Sequence, residues 1–174
     1  MPKQYWKFDG ERSLLSHTLD RALQIAPHDR VVAVVSPRHR KWWERDLDVL
    51  PPENTIVQPE NRGTAAGVLL PLLHVLAWDP AATVLVFPSD HHLEDEPTMQ
   101  ATLAEAITAA EAAPEQIVLL GITPDLPDTE YGWVLPDLTE AGATHPVAAF
   151  VEKPVELEAL RLMDYGALDR KSVV

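Results

Sequence analysis

Asp90 is the residue in this sequence best placed to hold a divalent cation against a phosphate. It stands in Pro88-Ser89-Asp90-His91-His92, directly after the apolar run Thr83-Val84-Leu85-Val86-Phe87. An unbroken β-branched run of that length reads as a strand buried on both faces of a parallel sheet. Pro88 has no N–H and should end the ladder, releasing Asp90 at the carboxyl edge of the sheet. Ligands of open α/β sheets sit at that edge, and a carboxylate there suits a divalent cation. Taken alone, an aspartate in this place is more often an ordinary turn or N-cap residue. His91 and His92, as neighbours in an extended segment, point to opposite sides and cannot readily grip one ion together. One is expected to be packed and the other solvated.

Three further polar clusters fall at expected strand ends, and such residues converge on one edge of a parallel sheet. Lys3 and Lys153 each offer a compact positive charge able to follow a phosphoryl group, or are plain solvated lysines. Glu60, Asn61, Arg62, Gly63 and Thr64 form a turn that feeds a long apolar helix. Gly63-Thr64 would give that helix free amides and a capping hydroxyl, suited to a phosphate or a base edge; an ordinary cap fits as well. Glu152 would accept hydrogen bonds from sugar hydroxyls or pair on the surface. In Tyr131-Gly132-Trp133 the glycine permits close backbone approach and the rings could flank a sugar, or simply pack in a sheet. Glu94, Asp95 and Glu96 read as a dipole-compensating helix start rather than as catalysts.

The elements that must position these residues alternate. Ser13 is a plausible N-cap for an amphipathic helix with Leu15, Leu19, Ala22 and Ala26 on one face, ending near Pro27. Residues 31–35 form an apolar strand, and Ser36-Pro37 then open a second helix carrying Trp42, Trp43 and Leu47, closed by Pro51-Pro52. Residues 55–58 are a short strand and residues 64–78 a long apolar helix. After the central run, Pro97 starts a helix with Met99, Leu103, Ala106, Ile107 and Ala110 inward, and residues 117–120 form a further buried strand closed by Gly121. This spacing predicts βαβ units with a mostly parallel sheet flanked by helices, an α/β class. Residues 131–135 and 147–151 have no helix between them and predict an antiparallel pair, followed by a last helix over 155–165.

Composition narrows the functional classes. The chain has 174 residues, 46 % of them hydrophobic and 24 % charged, which suits one globular domain. A net charge of −13 repels nucleic acid and anionic lipid unless basic residues gather locally. With no cysteine, disulfides, thiolate catalysis and cysteine zinc sites are excluded. No apolar segment is long enough to span a bilayer, and no signal peptide opens the chain, so a cytoplasmic protein without nucleic-acid or membrane partners is expected. Oligomeric state is not legible.

Taken in order, Pro2-Lys3-Gln4, Arg12-Ser13-Leu14-Leu15, Gln58 through Ala65, Phe87 through His91, Gly121-Ile122 with Pro124, Glu130 through Trp133 and Phe150 through Pro154 resemble the sugar-nucleotide pyrophosphorylases. The match is to the mannose-1-phosphate guanylyltransferases in particular and covers about residues 2–165. The resemblance implies a Rossmann-like nucleotidyltransferase fold and formation of GDP-mannose and pyrophosphate from GTP and mannose 1-phosphate, with Mg²⁺ as cofactor. By the same resemblance Lys3 and Lys153 contact phosphates, Glu60, Asn61, Arg62, Gly63 and Thr64 the guanine side, and Asp90 the metal. Tyr131, Gly132 and Glu152 fall to the sugar.

The family's glycine-rich phosphate loop lies on a first strand just upstream of Pro-Lys-Gln, where Met1 stands here, and its second metal-binding aspartate has no counterpart. Loss of that central strand should leave its neighbours with unpaired edges. The ending Asp169-Arg170-Lys171-Ser172-Val173-Val174 resembles a translated sequencing adapter. The expectation is therefore a gene fragment, incomplete at both ends and inactive by itself, with residues 1–168 a partial catalytic domain and 169–174 a non-native tail. Two other readings compete: a nucleotide-sugar-dependent glycosyltransferase, which should show Asp-x-Asp where Asp90-His91-His92 stands, and a non-catalytic sugar-phosphate-binding paralogue.

Overall fold

The computed structural model describes every residue except 140, 141, 143 and 170–174, and the chain divides into two compact units, Met1–Glu94 and Asp95–Val174. Residues 170–174 of the expected tail lie outside the described residues.

In the first unit a 3-10 turn over Lys3–Tyr5 buries the Tyr5 ring. Helix α1 (Leu14–Ile25) begins where Ser13 accepts the Ser16 amide at 3.0 Å, the cap its sequence predicts. Leu15 and Leu19 lie one turn apart and are both buried. Strand β1 (Ala33–Val35) runs parallel to β2 (Thr55–Val57), with Ala33 opposite Thr55. Between them Ser36 and Pro37 open a 3-10 turn that leads into α2 (Arg40–Trp43). Trp43 turns back so that Nε1–H donates to the Ser36 carbonyl at 2.9 Å. Tyr5, Leu15, Leu19, Val35, Trp43, Leu47 and Leu50 close the core.

Asn54 sets the register of the parallel pair. It is 2 % exposed, and its amide nitrogen lies 3.0 Å from the carbonyls of both Asp29 and Val31 and 3.4 Å from that of His28. The segment entering β2 is thus tied to the segment entering β1. Helix α3 (Gly63–Trp78) follows, apolar throughout as its sequence predicts, yet it buries no residue fully. Leu69, Leu73 and Leu76 stand exposed along it.

In the second unit α4 (Glu96–Ala112) is capped by Asp95, whose Oδ1 accepts from the Thr98 amide at 3.0 Å. Asp95 and Glu96 therefore serve the helix start, as their sequence suggests, and Leu103 and Ala106 are its buried residues. Strands β3 (Gly132–Pro136) and β4 (Val147–Glu152) form the expected antiparallel pair. Helix α5 (Glu156–Asp164) packs Ala159 and Leu162 against Trp133. Strand β5 (Leu168–Asp169) lies antiparallel to β3 on its other edge.

Two expected strands are corrected. Residues 83–87 and residues 117–120 carry no ladder among the described residues, and Val84 and Ile117 are exposed, Ile117 at 88 %. Apolar composition specifies a need for burial, but a strand exists only when a neighbour accepts its hydrogen bonds. Among the described residues β1 is bonded to β2 alone, leaving its other edge without a strand. The α/β class stands, with one parallel pair and one antiparallel trio beside the helices. No helix of the described residues is long and apolar enough to cross a membrane.

Candidate functional site

The four expected clusters divide between the two units. Lys3, Glu60, Asn61, Arg62, Gly63, Thr64 and Asp90 lie in the first, and Tyr131, Gly132, Glu152 and Lys153 in the second.

Lys3 opens the 3-10 turn rather than ending a strand, and its side chain is exposed. Asn61 Oδ1 accepts from the Gly63 amide at 2.9 Å, an Asx turn that drives Gly63 to a φ of +81°. A side chain at that φ would be strained, so glycine is required for the turn into α3. The expected capping role of Thr64 is corrected: Arg62 occupies the N-cap position without a side-chain cap bond, and Asn61 meets the first helical amide instead. The Asx turn displaces the helix start by one residue and puts Thr64 inside the first turn. Arg62 reaches back to Glu60 at 3.3 Å, both side chains being 74 % exposed, so the pair contributes little to stability.

Asp90 sits in a turn with its side chain 39 % exposed and Oδ1 3.5 Å from His91 Nε2. His91 is half-buried and His92 exposed, the alternation expected of neighbours in an extended segment. A magnesium ion bound together with nucleotide phosphates needs only one or two carboxylates, its other ligands being phosphate oxygens and water. Asp90 supplies one accessible carboxylate, and no group of three or more His, Asp or Glu gathers among the described residues. The residues fit an ion shared with a phosphate ligand and do not fit an all-protein metal cage.

In the second unit the antiparallel pairing assembles four candidates at one strand end. Gly132 is directly opposite Glu152, and the Lys153 amide donates to the Tyr131 carbonyl at 3.1 Å. Lys153 has a φ of 46° and is the only non-glycine residue with positive φ among those described. A residue before proline favours extended geometry, so this left-handed lysine ahead of Pro154 is doubly disfavoured. Such strain collects at functional positions. Neither Lys153 nor Lys3 joins an ion pair among the described residues, so both ammonium groups remain available to an anion. The reading of Trp133 as a sugar-facing ring is corrected. It is fully buried, and its Nε1–H donates to the Asp128 carbonyl at 2.9 Å.

The sequence pattern of the family described as "Nucleotidyl transferase" matches residues 1–168. The chain belongs to the nucleotidyl transferase family. It is similar to the "Xanthan biosynthesis protein XanB" of Xanthomonas campestris pv. campestris (strain ATCC 33913), 36 % identical over 157 residues, or 88 % of this chain and 32 % of that protein. It is also similar to the "Mannose-1-phosphate guanylyltransferase" of Escherichia coli (strain K12), 33 % identical over 161 residues, 88 % of this chain and 33 % of that one. The chain thus spans about a third of the length of these curated relatives. Among solved structures, one from Thermus thermophilus described as a "mannose-1-phosphate geranyltransferase" superposes with a TM-score of 0.82 at 31 % identity, over 93 % of this chain and 46 % of that one. A "mannose-6-phosphate isomerase" from Helicobacter pylori superposes with a TM-score of 0.72 at 20 % identity, over 97 % of this chain and 62 % of that one, and bears on the fold alone. The chain therefore shares its fold with these two solved structures.

Sequence reasoning overlooked the surroundings of Asp90. Phe8 packs on His92 with ring centroids 4.0 Å apart, and Thr18 Oγ1 lies 3.5 Å from the Pro88 carbonyl. The only signal in the sequence was an aromatic residue stranded in a polar turn.

Proposed function

We propose that this chain is part of a catalytic domain that transfers a guanylyl group from GTP to mannose 1-phosphate. A phosphate oxygen of mannose 1-phosphate attacks the α-phosphorus of GTP, the new P–O bond forms, the bond to the β-phosphate breaks, and pyrophosphate leaves with the electron pair. No protein nucleophile is needed, so the residues act by alignment and charge screening. Lys3 and Lys153 contact phosphates. Glu60, Asn61, Arg62, Gly63 and Thr64 face the guanine, while Tyr131, Gly132 and Glu152 face the sugar. Asp90 holds Mg²⁺, which when bound neutralises part of the charge carried by the phosphates. The reaction belongs in the cytoplasm.

The observation that carries this reading is Lys153, a strained, exposed lysine whose ammonium is free of ion pairs among the described residues and whose backbone is bonded to Tyr131 beside Gly132 and Glu152. Support for the sugar and base comes from the relatives named mannose-1-phosphate guanylyltransferase. Titration calorimetry of the chain with mannose 1-phosphate tests it. Binding should weaken at least about tenfold in Lys153→Ala, the loss expected of a charged hydrogen bond to phosphate. Equal affinity in the variant, or equal affinity for mannose itself, would contradict it.

A further inference from the structure

Residues 88–92 carry Asp90 but stand in no ladder, so something other than a sheet must fix their position. Two contacts from α1 and the turn before it do so. At one end Thr18, buried in the first half of α1, bonds its own helix at Leu14 and approaches the Pro88 carbonyl at 3.5 Å. At the other end the Phe8 ring lies on His92, centroids 4.0 Å apart and planes tilted by 50°. The same ring meets His17 of α1 at 5.4 Å.

Phe8 is itself anchored. Asp9 Oδ1 accepts the amides of Glu11 and Arg12, each at 2.9 Å, and Asp9 Oδ2 is 3.2 Å from His17 Nε2. Arg12 pairs with Asp20 of the same helix. The turn bearing Phe8 is therefore tied to α1 after Phe8 by Asp9 and Arg12, and before it by Trp6, whose carbonyl accepts the Leu14 amide at 3.1 Å. These bonds set the ring beside the Asp90 loop. Phe8 is 41 % exposed, so its ring is covered on one side only, by His17 and His92.

We infer that Phe8 is a positioning residue: with Thr18 it brackets the loop and holds the Asp90 carboxylate where an ion shared with nucleotide phosphates is gripped. This rests on the ion-holding role of Asp90 given above. A carboxylate displaced by about 1 Å loses much of its use in a phosphoryl-type transfer.

Two readouts on the whole chain test it: backbone ¹⁵N order parameters, and affinity for Mn²⁺·GTP by electron paramagnetic resonance. Order parameters at Asp90, His91 and His92 should fall in Phe8→Ala from about 0.85 toward about 0.6, those of β3 and β4 staying fixed. Mn²⁺·GTP affinity should drop about three- to tenfold, the effect of losing one surface ring contact. Phe8→Tyr should restore both, His92→Ala should reproduce the loss, and the double variant should add nothing further. Unchanged order parameters in Phe8→Ala, or a fall spread over the entire unit, would overturn the bracket. If the loop loosens in Phe8→Ala while Asp90→Asn leaves Mn²⁺·GTP affinity unchanged, the bracket stands and the ion-holding role of Asp90 is rejected.

Discussion

The amide of Lys153 donates to the carbonyl of Tyr131 at 3.1 Å, one step beyond the paired residues Glu152 and Gly132. The bond extends the β3–β4 ladder into the loop and holds Lys153 at a φ of 46°. Relieving that strain should separate stability from binding. Lys153→Gly is expected to be more stable than Lys153→Ala by about 1 kcal/mol, the usual cost of a Cβ in the left-handed region. Both variants should lose affinity for mannose 1-phosphate equally. Urea titrations of the two proteins check the first statement, and equal stabilities would count against strain at this position.

Asn54 offers a sharper stability test, because its amide nitrogen faces three carbonyls at 3.0 to 3.4 Å in a site 2 % exposed. Asn54→Ala leaves those acceptors unmet and should cost about 1 to 3 kcal/mol. Asn54→Asp turns a buried carboxylate toward them and should cost more. Chemical denaturation that found the aspartate variant as stable as wild type would remove Asn54 as the clamp between β1 and β2.

Gly121 stands where there is no room for a side chain. A Cβ there would lie 2.5 Å from both Cβ and Cδ1 of Leu168, close to the β5 backbone. Gly121→Ala should therefore destabilise by about 1 to 3 kcal/mol. Adding Leu168→Gly, which removes both atoms in the way, should return part of that loss, so the melting temperature of the double variant should exceed the additive expectation.

Asp9 supplies the pH dependence. Amide bonds from Arg12 and Glu11, with a smaller contribution from His17, pull its carboxyl from the ordinary 3.8 down to about 2. A carboxylate whose folded pKa is depressed stabilises the fold above its unfolded pKa, and that contribution is lost as pH falls from 3.8 toward about 2. The side-chain ¹³C shift of Asp9 should titrate near the lower value, and Asp9→Asn should flatten stability across that window. A midpoint at the ordinary 3.8 would contradict the turn geometry.

What was legible in the sequence was local. Ser13 ahead of Leu15 and Leu19 marks α1, and Asp95 ahead of Pro97 marks α4, because caps and periodicity act within a turn or two. The β3–β4 hairpin was legible from two apolar runs with only turn residues between them, and with it the neighbourhood of Gly132, Glu152 and Lys153. Residues 83–87 misled because hydrophobicity says that a run seeks burial without saying which strand will pair with it. Trp133 misled for a related reason: β3 pairs on both edges and packs against α5, which turns that ring into the core. The short strand Leu168–Asp169 is too brief to leave a pattern, and Asp169 falls in the expected tail although its backbone is bonded to Ile122. The contact of Phe8 with His92 joins distant segments, which single-sequence periodicity does not encode.

The proposed guanylyl transfer to mannose 1-phosphate turns on Asp90. The most direct measurement places residues 1–168 in the matched segment of the Escherichia coli relative and follows pyrophosphate release by the resulting chimera. Release is expected with GTP and mannose 1-phosphate, far slower with ATP or with glucose 1-phosphate, and should fall at least about a hundredfold in Asp90→Asn, the range for losing a charge that stabilises the transition state. Turnover that survives Asp90→Asn, or that prefers another nucleotide or sugar phosphate, would contradict it.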